Sequence, residues 1–287
     1  VTDLKAKTKY YYRAYVMLNT LQILLGDVKE FTTLEKSGSD EPETPEEPET
    51  PEENVTFVAK PFSVAIKKRV TFSSGNLQYH PANDEWRFAP NQTDYIGDAN
   101  ANISSTYNGW IDLFGWGTGN NPTNASIYYE DYQTFVDWGY APNTWRALTY
   151  EEWKYIINER SNASNLIGVA QVNGVNGLIL LPDGWTCPSG VTFKSGFPND
   201  YGTEYYADYQ TFSASDWFKL TDSGAVFLPA AGLRDGSDVH YVQLKGRYWS
   251  ATESNSCYVY CLCFGSDEAL MDFNARNYGY SVRLVQD

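Results

Sequence analysis

Cys257, Cys261 and Cys263 lie close together near the C-terminus, and sulfur is the most reactive atom that a side chain offers. A cysteine acts as a nucleophile or soft-metal ligand only as its thiolate, which needs a base, cation or metal beside it. The two histidines, His80 and His240, are remote from the cluster in sequence, so any help from them depends on the fold. The Cys-x3-Cys-x-Cys spacing lacks the paired geometry of a zinc site and an evident fourth ligand. Cys261 and Cys263, as same-face neighbours on one strand, are read as poorly placed to bridge and as exposed free thiols. Other candidates read as scaffold. Asn83 and Asp84 after Pro81, with Asp94 and Asp98, are turn residues. Gly115, Gly117 and Gly119 form no phosphate loop, because no lysine follows. Trp110, Phe114 and Trp116 could stack a ligand but are read as anchors that bury long loops. No catalytic residue, metal ligand or cofactor is assigned.

The strand that must position the cysteines runs through Val259 to Phe264. Period-2 alternation puts Leu262 and Phe264 on a core face and Cys261, Cys263 and Gly265 on the other. Cysteine and glycine are poor choices for a solvated strand. Further on, Asp267, Ala269, Asp272, Ala275 and Asn277 follow no strand or helix period. Such a segment, held between GRYWSAT (246–252) and GYSVRLV (279–285), reads as a surface selected for contact.

Three stretches organise the chain. Residues 1–36 read as strands, with an alternating run at 8–16, a turn around Gly26 and a second run at 27–34. Residues 37–54 form an acidic Pro/Glu linker, stiffened by proline and by like charges. Eight carboxylates between Asp40 and Glu53 make up more than half of the formal charge of −15. Residues 55–287 make one α+β domain of short strands and long loops with two helices. The first helix opens on a capping box at Thr149 and Glu152 and presents Trp153, Ile156 and Ile157. The second is capped near Ser213 or Ser215, turns Trp217 and Leu220 inward and closes at Gly224. The acidity disfavours nucleic acid as a partner, and the basic run Lys67, Lys68 and Arg69 reads as a solvated strand edge. No apolar run approaches the ~20 residues of a membrane helix, and no leader is read at Val1.

The ordered series SSGNLQY (73–79), WRFAPNQTDYIGDAN (86–100), GWIDLFGWGT (109–118), WRALTYEEW (145–153), VNGVNGLILLPDGW (172–185) and GAVFLPAAGLR (224–234), with the two frames above, resembles secreted Bacteroidetes domains of the C-type lectin-like fold. Within them the C-terminal frame is similar to the variable proteins of diversity-generating retroelements, which rewrite chosen codons through adenine-directed errors. Residues 1–36 resemble the end of a fibronectin type III-like module, with Tyr10 as its corner tyrosine; the alternative reading of the same residues is an N-terminal hairpin packed on the main domain. The resemblance implies an extracellular or cell-surface binding module, not an enzyme, that meets a protein or glycan ligand. Its variable positions would be Ser254, Cys257, Tyr258, Cys261, Cys263 and Gly265, then Asp267, Ala269, Asp272, Phe273, Ala275 and Tyr278. Trp249, Leu262, Phe264, Arg276 and Arg283 would be scaffold. Sugar-binding relatives hold calcium in Glu-Pro-Asn or Gln-Pro-Asp loops, which are missing here, so calcium-independent binding is expected. Two alternatives are a structural tip or adhesive subunit of a surface fibre or phage tail, and a catalyst like the formylglycine-generating relatives, which use paired cysteines.

Overall fold

The computed structural model describes residues 9–17, 23–32, 60–138, 145–198 and 206–287. Backbone contacts divide the chain into two units, Val1–Val58 and Ala59–Asp287. In the first, β1 (Lys9–Met17) pairs antiparallel with β2 (Ile23–Thr32), placing Tyr10 opposite Phe31. The two rings stack with centroids 5.7 Å apart. The expected turn at Gly26 is corrected: Gly26 lies inside β2, where the register shifts across from Ala14. A glycine within a strand more often marks such a bulge than a chain reversal. The 37–54 linker and the boundary at 55 lie outside the described residues.

The second unit is a mixed α+β structure of short, mostly antiparallel sheets with few short helices. Its first hairpin joins β3 (Phe62–Ala65) to β4 (Lys68–Phe72) through Lys67, whose positive φ of 63° completes the turn. β5 (Leu77–His80) pairs with β6 (Glu85–Phe88). The capping box forms as expected at the start of α1 (Tyr150–Lys154), and Glu152 also accepts from Lys68 and Arg146. The helix widens into a π segment over Tyr155–Glu159, where the Arg160 N–H donates to the Tyr155 carbonyl at 2.9 Å.

A four-stranded sheet follows, built from β7 (Ile167–Val172), β8 (Val175–Leu180), β9 (Thr211–Phe212) and β10 (Val226–Pro229) in the order β10, β8, β7, β9. A one-turn helix, α2 (Tyr206–Tyr209), precedes β9 and was not foreseen. The second expected helix is α3 (Ala214–Asp222), capped by the Ser213 hydroxyl with Leu220 buried. Trp217 is only half-buried and meets Phe227 edge to face. After the short pair β11 (Leu233–Asp235) and β12 (Asp238–His240), the chain forms the sheet that matters most here. Its strands are β13 (Gly246–Glu253), β14 (Tyr258–Phe264) and β15 (Ala269–Ala275), with β14 central. The last strand, β16 (Val285–Gln286), returns to pair with β4.

Strand β14 separates two apolar clusters. Leu262 and Phe264 join Phe62, Trp153 and Tyr248 on one side, while Val259 and Cys261 join Phe114, Trp116 and Trp249 on the other. Three arginines, Arg234, Arg276 and Arg283, are buried in this half of the molecule. Each donates to protein oxygens: Arg234 to the carbonyls of Leu113 and Gly236, Arg276 to those of Tyr132 and Asn255, and Arg283 to Asn76 and Gln92. Desolvation of a buried guanidinium is tolerated only with such partners. Among the described residues no helix is long and apolar enough to cross a membrane.

Candidate functional site

Hairpin pairing places the expected contact residues side by side. Across β13 and β14, Arg247 faces Cys263 and Trp249 faces Cys261; across β14 and β15, Tyr260 faces Phe273 and Cys261 faces Asp272. Alternation then sends Tyr258, Tyr260, Leu262 and Phe264 to one face. That face grades from core to surface: Phe264 and Leu262 are buried, Tyr260 is half-buried against Tyr150, and Tyr258 is 43% exposed. Phe273, 52% exposed, meets the Tyr258 ring edge to face at 5.8 Å and the Tyr260 ring at 6.4 Å. The result is a row of aromatic rings that ends in open solvent.

Two loops border this row. The 254–257 turn is held by Asn255, whose side-chain oxygen accepts from the N–H groups of Cys257 and Tyr258. The half-buried Ser254 receives Tyr258 by donating its N–H to the Tyr258 carbonyl at 3.0 Å. The other loop carries the exposed Tyr129 and lets Gln133 donate to the Ser256 carbonyl at 3.4 Å. Arg276 ties both loops down, since it donates to Tyr132 and Asn255 and lies 4.9 Å from the Trp116 ring.

The opposite face of β14 corrects the exposure expected for its cysteines. Cys261 is fully buried among Trp249, Val259 and Tyr280, and Cys263 is half-buried at the rim of the same cluster. Their side chains lie near each other as unbridged thiols, with Sγ atoms 3.3 Å apart. The physical reason is that β14 is an interior strand covered on both faces. Free cysteine behaves there as a small hydrophobe. Gly265 is likewise buried, and Tyr278, expected to be displayed, is half-buried and stacks on Tyr280 with centroids 6.1 Å apart. Ala269 packs against the core, Asp267 is half-buried 3.6 Å from Lys245, and Ala275 and Asp272 are half-buried. The expected scaffold residues, Trp249, Leu262, Phe264, Arg276 and Arg283, are all buried.

Charge completes the thiol environment. Arg247 donates through Nη1 to Cys263 Sγ at 3.0 Å, and Asn274 donates to Cys261 Sγ at 3.5 Å. Burial pushes the Cys261 thiol well up. Hydrogen bonding from Cys261 pulls the Cys263 thiol below its ordinary range, and the Arg247 charge assists against the burial. A cavity of about 130 Å³ opens beside Cys263, walled by Lys245, Arg247, Phe264, Gly265, Glu268, Leu270 and Asp272.

The comparisons with known proteins bear on this part of the chain. Residues 205–285 match the family described as Domain of unknown function (DUF8237). That match takes in β13, β14, β15 and the buried Arg234, Arg276 and Arg283. No curated protein and no solved structure matches the chain.

Elsewhere, His80 packs edge to face on Trp110 and His240 neighbours Tyr241, so neither supplies the thiols with a cation in the contacts seen. Trp110 is half-buried beneath Arg87 at 3.6 Å, rather than part of the core, whereas Phe114 and Trp116 are core as expected. Asp84 adopts a positive φ of 50° and accepts from the Tyr79 hydroxyl, and Asp94 accepts from Asn91. The important residues that sequence reasoning missed are Arg247, Asn274, Tyr260 and Tyr129. Arg247 was readable in principle, because pairing GRYWSAT with VYCLCF as a hairpin sets it opposite Cys263. Tyr129 approaches through a distant loop and left no local signal.

Proposed function

We propose that this chain is an extracellular binding module with a C-type lectin-like fold, which presents a diversified contact surface to a protein or glycan ligand without calcium. One observation carries the reading: Tyr258 and Phe273 project into solvent from adjacent strands, β14 with a buried core face and β15 half-buried beside it. Large exposed rings cost folding free energy little and supply contact area at low entropy cost, the chemistry favoured by antibody paratopes. Small or polar neighbours at Ser254, Cys257 and Ala275 adjoin Tyr258. Arg276 and Trp249 beneath supply the rigid base. The resemblance to retroelement variable proteins supports the same division between a changeable rim and a fixed core. Cys261, Gly265 and Ala269 contribute from below, by shaping the sheet rather than by touching ligand.

The test pairs binding with stability. Changing Tyr258 and Phe273 together to Ser leaves stability within about 0.5 kcal/mol, as exposed substitutions do, while abolishing capture of the ligand selected by the wild-type chain. Sequencing the flanking DNA should reveal a near-copy of the codons for 246–285 with adenines at the variable positions. A double variant that melts far below wild type would make those rings structural, and flanking DNA without such a copy would remove the diversification.

A further inference from the structure

The cysteine face of β14 carries a cavity that is separate from the aromatic row and does not depend on the role proposed for it. Arg247, Cys263 and Leu270 form one row across the three strands, and Asp272 stands in the next row on the same face. Lys245, just before β13, and Glu268, just before β15, frame the other end around Gly265. The charges are therefore sorted by edge. Both cations come from the β13 side of the cavity and both carboxylates from the β15 side. Cys263 and Gly265 line the middle, and their small size leaves the volume of about 130 Å³ open. A methyl added at Gly265 would lie 2.6 Å from Lys245 Nζ.

Arg247 is the group that this arrangement leaves without an oxygen. Its Nη1 donates to Cys263 Sγ at 3.0 Å, and its Nε is buried with no partner. Among the described residues the other buried and half-buried arginines each donate to at least one oxygen. Thiol sulfur is a weak acceptor, so a half-buried guanidinium that has only sulfur favours an oxyanion on its planar fork. Lys245 is already engaged, 3.6 Å from Asp267. A bare anion in the cavity would be repelled by Glu268 and Asp272, and a bare cation by Lys245 and Arg247. A ligand with one charge of each sign satisfies both edges. We propose that the cavity binds a small free α-amino acid, with its carboxylate on Arg247, its ammonium between Glu268 and Asp272, and its side chain against Leu270 and Phe264. At ~30 Å³ per water the space holds about four waters, which suits an amino acid of the size of alanine and excludes a peptide chain.

The full-length chain is titrated at pH 7 with glycine, L-alanine and L-serine, and separately with propionate, ethylamine and galactose, and binding is read by saturation-transfer NMR. At least one of the amino acids should bind saturably and about tenfold more tightly than each of the other three compounds, which lack one charge or both. Arg247→Met should weaken that binding about tenfold. Glu268 is exposed, so Glu268→Lys leaves the core alone; it should weaken the amino acid about tenfold and strengthen propionate, because it turns the carboxylate edge cationic. The paired change of Tyr258 and Phe273 to Ser should leave amino-acid binding unchanged, which separates this site from the aromatic row. Propionate or galactose binding as tightly as the best amino acid overturns the proposal. So does an affinity indifferent to Glu268→Lys, or the absence of saturable binding by all three amino acids up to about 50 mM. If Arg247→Met fails to fold, the wild-type ligand panel and Glu268→Lys decide.

Discussion

Replacing Glu152 with Gln isolates one network whose energy depends on pH in a calculable way. The carboxylate accepts from Arg146 at 2.7 and 2.9 Å, from Lys68 at 2.7 Å and from the Thr149 N–H at 3.0 Å. Burial works to raise its pKa, but these donors hold it down to about 2, against an ordinary 4.5. At ~1.4 kcal/mol per unit the full shift is worth about 3.5 kcal/mol. Arg146 and Lys68 remain partly solvated, so screening reduces this to about 2 kcal/mol. The sign follows from proton binding. Because the folded pKa lies below the unfolded one, the contribution is complete above about pH 4.5 and drains away as the pH falls toward 2. Asp112 runs the opposite way, since burial pushes it up to about 6, but it is present in both proteins and cancels in their difference. Urea unfolding followed by tryptophan fluorescence is the assay, since all nine tryptophans lie at or beyond Trp86 and report only the second unit. Glu152→Gln should cost about 2 kcal/mol at pH 7, and the gap should shrink to less than half by pH 3. A gap that stays constant with pH would refute the electrostatic account and leave only the geometry of the cap.

Three further outcomes follow from packing and from the missing calcium loops. Trp249→Ala removes a buried ring that stacks on Tyr280 and donates to the Phe114 carbonyl at 2.7 Å, and should cost roughly 3 to 5 kcal/mol in the same urea titration. Gly246→Ala would drive a methyl to 1.9 Å from the Phe264 ring, so a loss of about 1 to 3 kcal/mol is expected; an unchanged midpoint would mean that the ring moves freely. Removing divalent cations with a chelator should leave the thermal midpoint where it was, and a calcium-dependent rise would reveal a site by mass action.

What could be read in the sequence depended on whether the signal was local. The capping box at Thr149 and the Ser213 cap were legible because both motifs close within one turn of chain. The π widening after Lys154 and the one-turn helix at Tyr206 carry no comparable signal. The central strand shows the limit of alternation. Its period correctly separated Leu262 and Phe264 from Cys261 and Cys263, but it could not reveal that a second cluster covers the cysteine face. The unbroken run Val-Tyr-Cys-Leu-Cys-Phe was itself the clue, since strands buried on both faces read as continuous apolar stretches. Of the expected contact residues, Tyr258 and Phe273 reach solvent at the end of the aromatic row beyond the buried Leu262 and Phe264, a gradation along the strand that alternation alone does not carry.

The guanidinium of Arg276 gives the aromatic rim a thermodynamic character. By donating to Tyr132 and to Asn255 at once, one fixed cation couples two loops that are far apart in sequence. Their ordering entropy is therefore spent when the chain folds and is not charged again when something docks. A partner meeting Tyr258 and Phe273 would encounter an already frozen frame, and its affinity would track the fit of those rings rather than the cost of arranging the loops around them.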